Sequence, residues 1–176
     1  MIRTIAIVAV AAVGALLIHA ATRPDTFSIE RSASIKAPPD KLHGLINDMR
    51  VFNTWNPYNL KDPNIRGEYQ GPQAGPGARY RFAGNKDVGK GSIEIIESAP
   101  ASKVTMKLDM LEPFEGHNIV EFRLVPRGDA TEVTWAMHGP SPFMAKLAGV
   151  FINMDRMIGR DFEAGLSNLK ARAERA

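Results

Sequence analysis

Asp109, Glu115 and His117 lie close together and are of types suited to proton transfer, because an imidazole beside carboxylates can take a proton from a substrate and return it. Their phase argues against that use. Asp109 and His117 fall on the outward side of two alternating stretches, so a surface position is expected and no catalytic residue is assigned. His19, His43 and His138 have no metal-site spacing, and no His-Glu-x-x-His helix occurs. The chain has no cysteine, which removes disulfides, thiolate ligands and a cysteine nucleophile. Gly84, Gly89 and Gly91 read as hairpin turns rather than a phosphate loop, and the residue order shows no Ser-His-Asp arrangement. No metal and no cofactor is expected. An enzyme is the weaker expectation.

A binding face is the stronger one. Tyr80, Phe82, Trp135 and Met137 share the inward phase of their strands, and Met106 and Met110 add flexible, polarizable walls. Met154 and Ile158 contribute from a helical stripe. Trp55, just before Asn56-Pro57, either closes a pocket mouth or caps the core. Asn118 is polar on an inward phase, so its amide needs a ligand or a backbone partner. Each of these residues taken alone is also compatible with plain core. Arg31 and Arg81 are candidates to meet an anionic head group, although solvated faces are the commoner use of such residues.

These side chains must be placed by a sheet and a helix. Thr26 to Ala37 alternates with period two, and Arg31 interrupts its apolar side. Pro38-Pro39-Asp40 starts a short helix through Met49, and a second turn runs from Arg50 to Trp55. Strands follow over Ile65–Gln70, Ala78–Ala83, Val88–Ser98, Lys103–Leu111, His117–Val125 and Thr131–His138, separated by short turns that favour antiparallel neighbours. From Pro140 to Ala176, Leu147, Phe151, Met154, Ile158, Phe162, Leu166 and Leu169 recur at three and four residues, predicting one long amphipathic helix. Ala148, Gly149, Gly159 and Gly165 would let it approach the sheet closely. A curved sheet under one helix cannot close-pack everywhere, so an apolar pocket open at one end is expected.

The chain resembles the helix-grip superfamily of START-related, polyketide-cyclase-like proteins, also called SRPBCC. The resemblance rests on Phe27-Ser28-Ile29-Glu30-Arg31-Ser32 leading into Ile35 to Lys41, on Asn53-Thr54-Trp55-Asn56-Pro57, on Gly84-Asn85-Lys86 with Gly89-Lys90-Gly91, and on Thr134 to Met137 leading into Gly139-Pro140. It covers Thr26 to Ala173. It implies an α+β helix-grip fold: a curved antiparallel sheet of about six or seven strands around a long C-terminal helix, with two short helices after the first strand. It also implies a hydrophobic cavity for lipids, sterols or polyketides, with cyclase activity in some relatives.

Thr4 to Ala21 is almost wholly apolar, and eighteen helical residues span roughly 27 Å, near the thickness of a hydrocarbon core. A cleaved signal needs small residues before the cut, and neither His19 nor Ile18 serves at the minus-three place, so an anchor is favoured. Arg3 favours a cytoplasmic start, with the domain on the extracytoplasmic side, although Arg23 weakens that orientation. The expected organisation is an anchor at 1–22, a linker at 23–26 and a ligand-binding domain at 27–176. Net charge is +3 with no basic patch bearing interleaved aromatics, so nucleic acid is not an expected partner. The expected partners are the membrane, through residues 4–21, and a hydrophobic small molecule. No protein partner is named. The functions weighed are an apolar-ligand binder, a cyclase or dehydratase acting in the same cavity, and an interaction or stress-related domain with a vestigial pocket.

Overall fold

Alternation of apolar and polar residues gives seven strands in the computed structural model, which describes residues 2–175. In chain order the elements are α1 (Ile2–Ala21), β1 (Thr26–Ile35), α2 (Pro39–Asn47), α3 (Met49–Phe52), α4 (Pro57–Leu60), β2 (Arg66–Gln70), β3 (Arg79–Ala83), β4 (Lys90–Ala99), β5 (Lys103–Glu112), β6 (Gly116–Arg127), β7 (Ala130–Pro140), α5 (Phe143–Phe151) and α6 (Met154–Ala173). The strands form one antiparallel sheet in the order β1-β7-β6-β5-β4-β3-β2. Six strands thus follow one another as a meander, and β1 closes onto the last of them. Register fixes which side chains share a face: Ile29 sits opposite Met137, Arg31 opposite Trp135, and Trp135 opposite Phe122. Two irregularities between β4 and β5 leave Ile96 and Leu111 without direct partners. Both are exposed, as extra residues in a bulge are.

α6 crosses the concave face and supplies Phe162, Leu166, Leu169 and Ala173 to the core. Two glycines set how close it comes. A Cβ on Gly165 would overlap the Trp135 ring and lie 2.9 Å from Pro57 Cδ, and one on Gly159 would lie 2.8 Å from Arg31 Nε. Arg31, the residue that breaks the apolar phase of β1, reaches across this gap. It donates from Nε to Glu163 Oε1 at 2.9 Å and from Nη2 to Asp155 Oδ2 at 3.0 Å. A guanidinium suits that clamp because its planar fork presents several donors at once. Arg31 is therefore engaged by the helix and is not free for a head group.

The C-terminal segment differs from the single helix its stripe predicts. The helix stops at Phe151, Ile152 is extended (φ −116°, ψ 124°), and Asn153 restarts it by accepting from Arg156 N at 2.9 Å. Asp155 in the first turn adds favourable charge to that start. As a consequence Phe151 and Met154, counted on the buried stripe, are exposed. A third short helix, α4, also follows the expected two. Asn56 caps it by accepting from Tyr58 N, and Pro57 occupies its first turn, where no amide donor is needed.

α1 stands apart. Arg3–Ala21 has a mean hydropathy of 2.3 and is long and apolar enough to cross a membrane, with only 6% of that window buried. α5 is the element packed most extensively against it. Beyond α1, the backbone N–H of Ser141 donates to Asp25 O at 2.6 Å, and Lys146 pairs with the Asp25 carboxylate.

Candidate ligand-binding face

The concave face divides into a closed half and an open half. In the closed half aromatic rings meet directly. Trp135 stacks on Phe162 with centroids 4.4 Å apart and planes 10° from parallel, and it packs against Phe122 at 4.8 Å. Trp55 lies edge-on to Phe52, Phe122 and Trp135. Its indole N–H donates to Leu45 O at 2.9 Å, which holds the ring inward from the helical turn before Asn56. Met106 is fully buried among them, and Met137 closes the β7 side. This space is filled. Trp55, Met106, Trp135 and Met137 are core here, not the lining of a hollow. The Trp135 indole N–H is nevertheless buried without a partner, an uncompensated donor on the concave side.

In the open half the same strands carry side chains that the helix does not cover. Register places Phe82 opposite Gly91, Gly91 opposite Met110, and Leu108 opposite Asn118. Phe82, Leu108 and Ile158 pack on the core from its rim, and Met110 and Asn118 are half-buried. Tyr80 is buried beneath this rim, stacked on Phe82 at 6.2 Å and tilted against Tyr69 at 4.8 Å. Its hydroxyl accepts from Asn59 Nδ2 at 3.4 Å, and burial pushes its pKa up, so it stays neutral. The Asn118 carboxamide lies over Gly139, where any side chain would collide with it. Met154 sits one helical turn before Ile158, past the end of the core. The ten residues expected from sequence thus separate into a filled interior and a rim of Phe82, Met110, Asn118 and Ile158, with Tyr80 beneath and Met154 beyond. Leu108 belongs to the rim as well, on the same inward alternation of β5 as Met106 and Met110.

Two shallow concavities lie elsewhere. One, of about 220 Å³, sits where α6 crosses β1, between Ser32, Ala33, Glu163, Leu166, Ser167 and Lys170. The other is a strip along α1 itself, by Ala6, Ile7, Val10 and Ala11.

Asp109 and His117 are on the convex side, and Glu115 lies in the turn between β5 and β6. Asp109 accepts from His117 Nδ1 at 2.7 Å and pairs with Lys107 at 2.9 Å. Partial burial raises the Asp109 pKa, but hydrogen bonds from His117 and Lys107 outweigh it and leave the carboxyl below its ordinary value. Glu115 and His117 are exposed. No group of three or more His, Asp or Glu side chains converges to hold a metal among the described residues.

A seven-stranded antiparallel sheet gripping a long C-terminal helix is the helix-grip fold of the SRPBCC class. The chain belongs to the polyketide cyclase / dehydrase and lipid transport family, whose model matches residues 26–174. Solved structures agree on the fold. Protein CV1439 from Chromobacterium violaceum is 16% identical with a TM-score of 0.60, over 87% of this chain and all of that one. The major latex-like protein 151 of Panax ginseng is 13% identical with a TM-score of 0.60, over 86% of this chain and all of that one. The Aha1 dimer from Colwellia psychrerythraea is 19% identical with a TM-score of 0.54, over 84% and 96% of the two chains. No functionally curated protein matches the sequence.

Proposed function

We propose that residues 27–176 form a binding domain for an apolar small molecule, a lipid or polyketide-like compound, held near a bilayer by an anchor at residues 1–22. The observation that carries this reading is the uncovered rim of Phe82, Leu108, Met110, Asn118 and Ile158 at the end of an otherwise filled concave face. The ligand lies against these side chains, and the Asn118 carboxamide offers both a donor and an acceptor to orient one polar group. Affinity comes from apolar area, at about 0.8 kcal/mol per methylene buried. Membership of a family described by lipid transport supports a lipid-class guest. The exterior position of Asp109, Glu115 and His117 leaves a cyclase or dehydratase without candidate groups, so binding without chemistry is the reading adopted.

The test is recovery of the guest. The full chain is purified in nanodiscs, incubated with a cellular lipid extract, washed, and its retained molecules are identified by mass spectrometry against empty nanodiscs. The expected result is enrichment of one apolar class, lost in the rim variant Met110→Trp, which fills the open half. Retention equal to that of empty nanodiscs would overturn the proposal.

A further inference from the structure

α5 has its polarity reversed for a helix on a soluble domain. Lys146 is its only charged residue and its most buried one, 8% exposed, while Met144 and Phe151 are 69% and 74% exposed. At 100° per residue Met144 and Phe151, seven apart, lie on one face with Ala148 between them. Lys146 and Gly149 lie on the other. That inner face is tied to the end of α1: Lys146 pairs with Asp25, and Arg23 donates from Nη1 to Lys146 O at 3.3 Å. A charged residue turned inward and apolar residues turned outward are out of place against water, and they match a helix lying in a lipid interface.

Strand register shows what else occupies that level. Thr26 sits opposite Pro140, Gly116 opposite Met110, and Lys90 opposite Glu112. The start of β1, the end of β7 and the β5–β6 turn are therefore at one end of the sheet, the end where α1 enters. Phe114, 81% exposed in the β5–β6 turn, and Leu111 beside it extend the apolar surface. Phe143, Met154 and Met157 add to it from α5 and α6, and Ile152 from the break between them. Glu112 and Glu115 flank Phe114, and Glu112 is neutralised by Lys90 at 2.7 Å. Among the described residues outside α1, α4 and this end, the large exposed apolar side chains are Ile96 and Val125.

We propose that α5 and the β5–β6 turn dock on the surface of the bilayer that α1 enters, with Met144, Phe151 and Phe114 among the acyl chains. The inference rests on α1 being a membrane helix. It places the rim of the binding face next to lipid, so that a guest passes between bilayer and protein without crossing water. The occupant is lipid because the surface is continuous with α1, itself apolar on all sides.

The absence of native cysteine makes the test direct. Single variants Met144→Cys, Phe151→Cys and Phe114→Cys, all at exposed sites, are made in the full chain with Val10→Cys in α1 and Asp129→Cys in the far β6–β7 turn. Each carries an environment-sensitive fluorophore and is reconstituted in phosphatidylcholine–phosphatidylglycerol vesicles. The expected result is blue-shifted emission, quenched by spin-labelled acyl chains and not by aqueous iodide, at positions 144, 151, 114 and 10. Position 129 should show the reverse. Lipid quenching at 10 with iodide quenching at 144, 151 and 114 would overturn the docking and leave the anchor intact. Iodide quenching at 10 as well would remove the anchor and the docking together. Protection of 144 and 151 from both quenchers would mean that a protein covers the face, which also overturns the proposal.

Discussion

Gly165→Ala and Gly44→Ala are the same chemical change in two helices, and the structure gives them opposite signs. In both, replacing glycine relieves backbone entropy worth about 0.8–1 kcal/mol in a helix interior. Gly44 in α2 has nothing within 4 Å of where its Cβ would stand, so the gain is realised. At Gly165 the new methyl meets the Trp135 ring and Pro57 Cδ at 2.9 Å. Neither neighbour has a rotamer to yield, because Trp135 is already sandwiched against Phe162 at 4.4 Å. Overpacking of this kind costs about 1–3 kcal/mol, and a contact between two rings and a helix belongs at the upper end. The expected balance is about 1 kcal/mol gained for Gly44→Ala and about 2 kcal/mol lost for Gly165→Ala. For a domain of this size those correspond to roughly +2 to +4 °C and −4 to −8 °C in Tm. Thermal unfolding of the full chain in matched nanodiscs, followed by near-UV circular dichroism of the tryptophans, reads both. If Gly165→Ala raised Tm as Gly44→Ala does, α6 would not lie flush on Trp135. The closed half of the concave face would then have room for a guest, and confinement of the site to the rim would be refuted.

Three further outcomes follow from named contacts. A series of fatty acids displacing a fluorescent analogue should tighten about fourfold per added methylene while the rim fills, then level off as the chain passes the filled half. A flat series from the start would exclude an apolar rim as the source of affinity. In acid, the Arg31 hydrogen bond holds Asp155 below its ordinary pKa, as the Lys146 hydrogen bond does for Asp25. Stability from a carboxyl with a lowered folded pKa is fully present above its unfolded value, about 3.9, and is lost as pH falls through the folded value. Tm should therefore hold steady down to about pH 4 and drop below it, less steeply in Arg31→Gln, and identical acid limbs would show the clamp to be energetically silent. His117→Ala should leave guest retention unchanged, since Asp109 and His117 face away from the rim. A loss of retention would return the convex pair to consideration.

The sheet was legible because strands with one wet face alternate cleanly, and each inward residue read from Tyr80 through Met137 does lie on the concave side. The lower part of the C-terminal stripe was legible for the same reason: Phe162, Leu166 and Leu169 bury together. Ring packing was not. Whether inward aromatics line a space or fill it depends on distances between strands that are remote in sequence, and Trp55 is held inward by a hydrogen bond to Leu45 O. Arg31 read as an irregularity because its partners, Asp155 and Glu163, are more than a hundred residues away. The helix break had a local signal, Asn153 with Asp155 two residues on, a capping start that follows the weak helix formers Gly149, Val150, Phe151 and Ile152 inside a stretch without proline.

That break is also what joins the two ends of the molecule. In a continuous helix Phe151, Met154 and Ile158 would share one stripe and lie over the sheet, closing the rim. Ile152 turns extended instead, and the preceding nine residues fold back against α1, with Lys146 as the inward contact and Phe151 turned out. Two alternatives competed for the same apolar residues, burial over the rim or exposure beside α1. Against water the first is strongly favoured, since leaving Phe151 and Met154 exposed forgoes about 1.5–3 kcal/mol each. The second is favoured only when the exposed side faces lipid. The uncovered rim and the inverted helix therefore both follow from this break, and the bilayer docking proposed above would account for both.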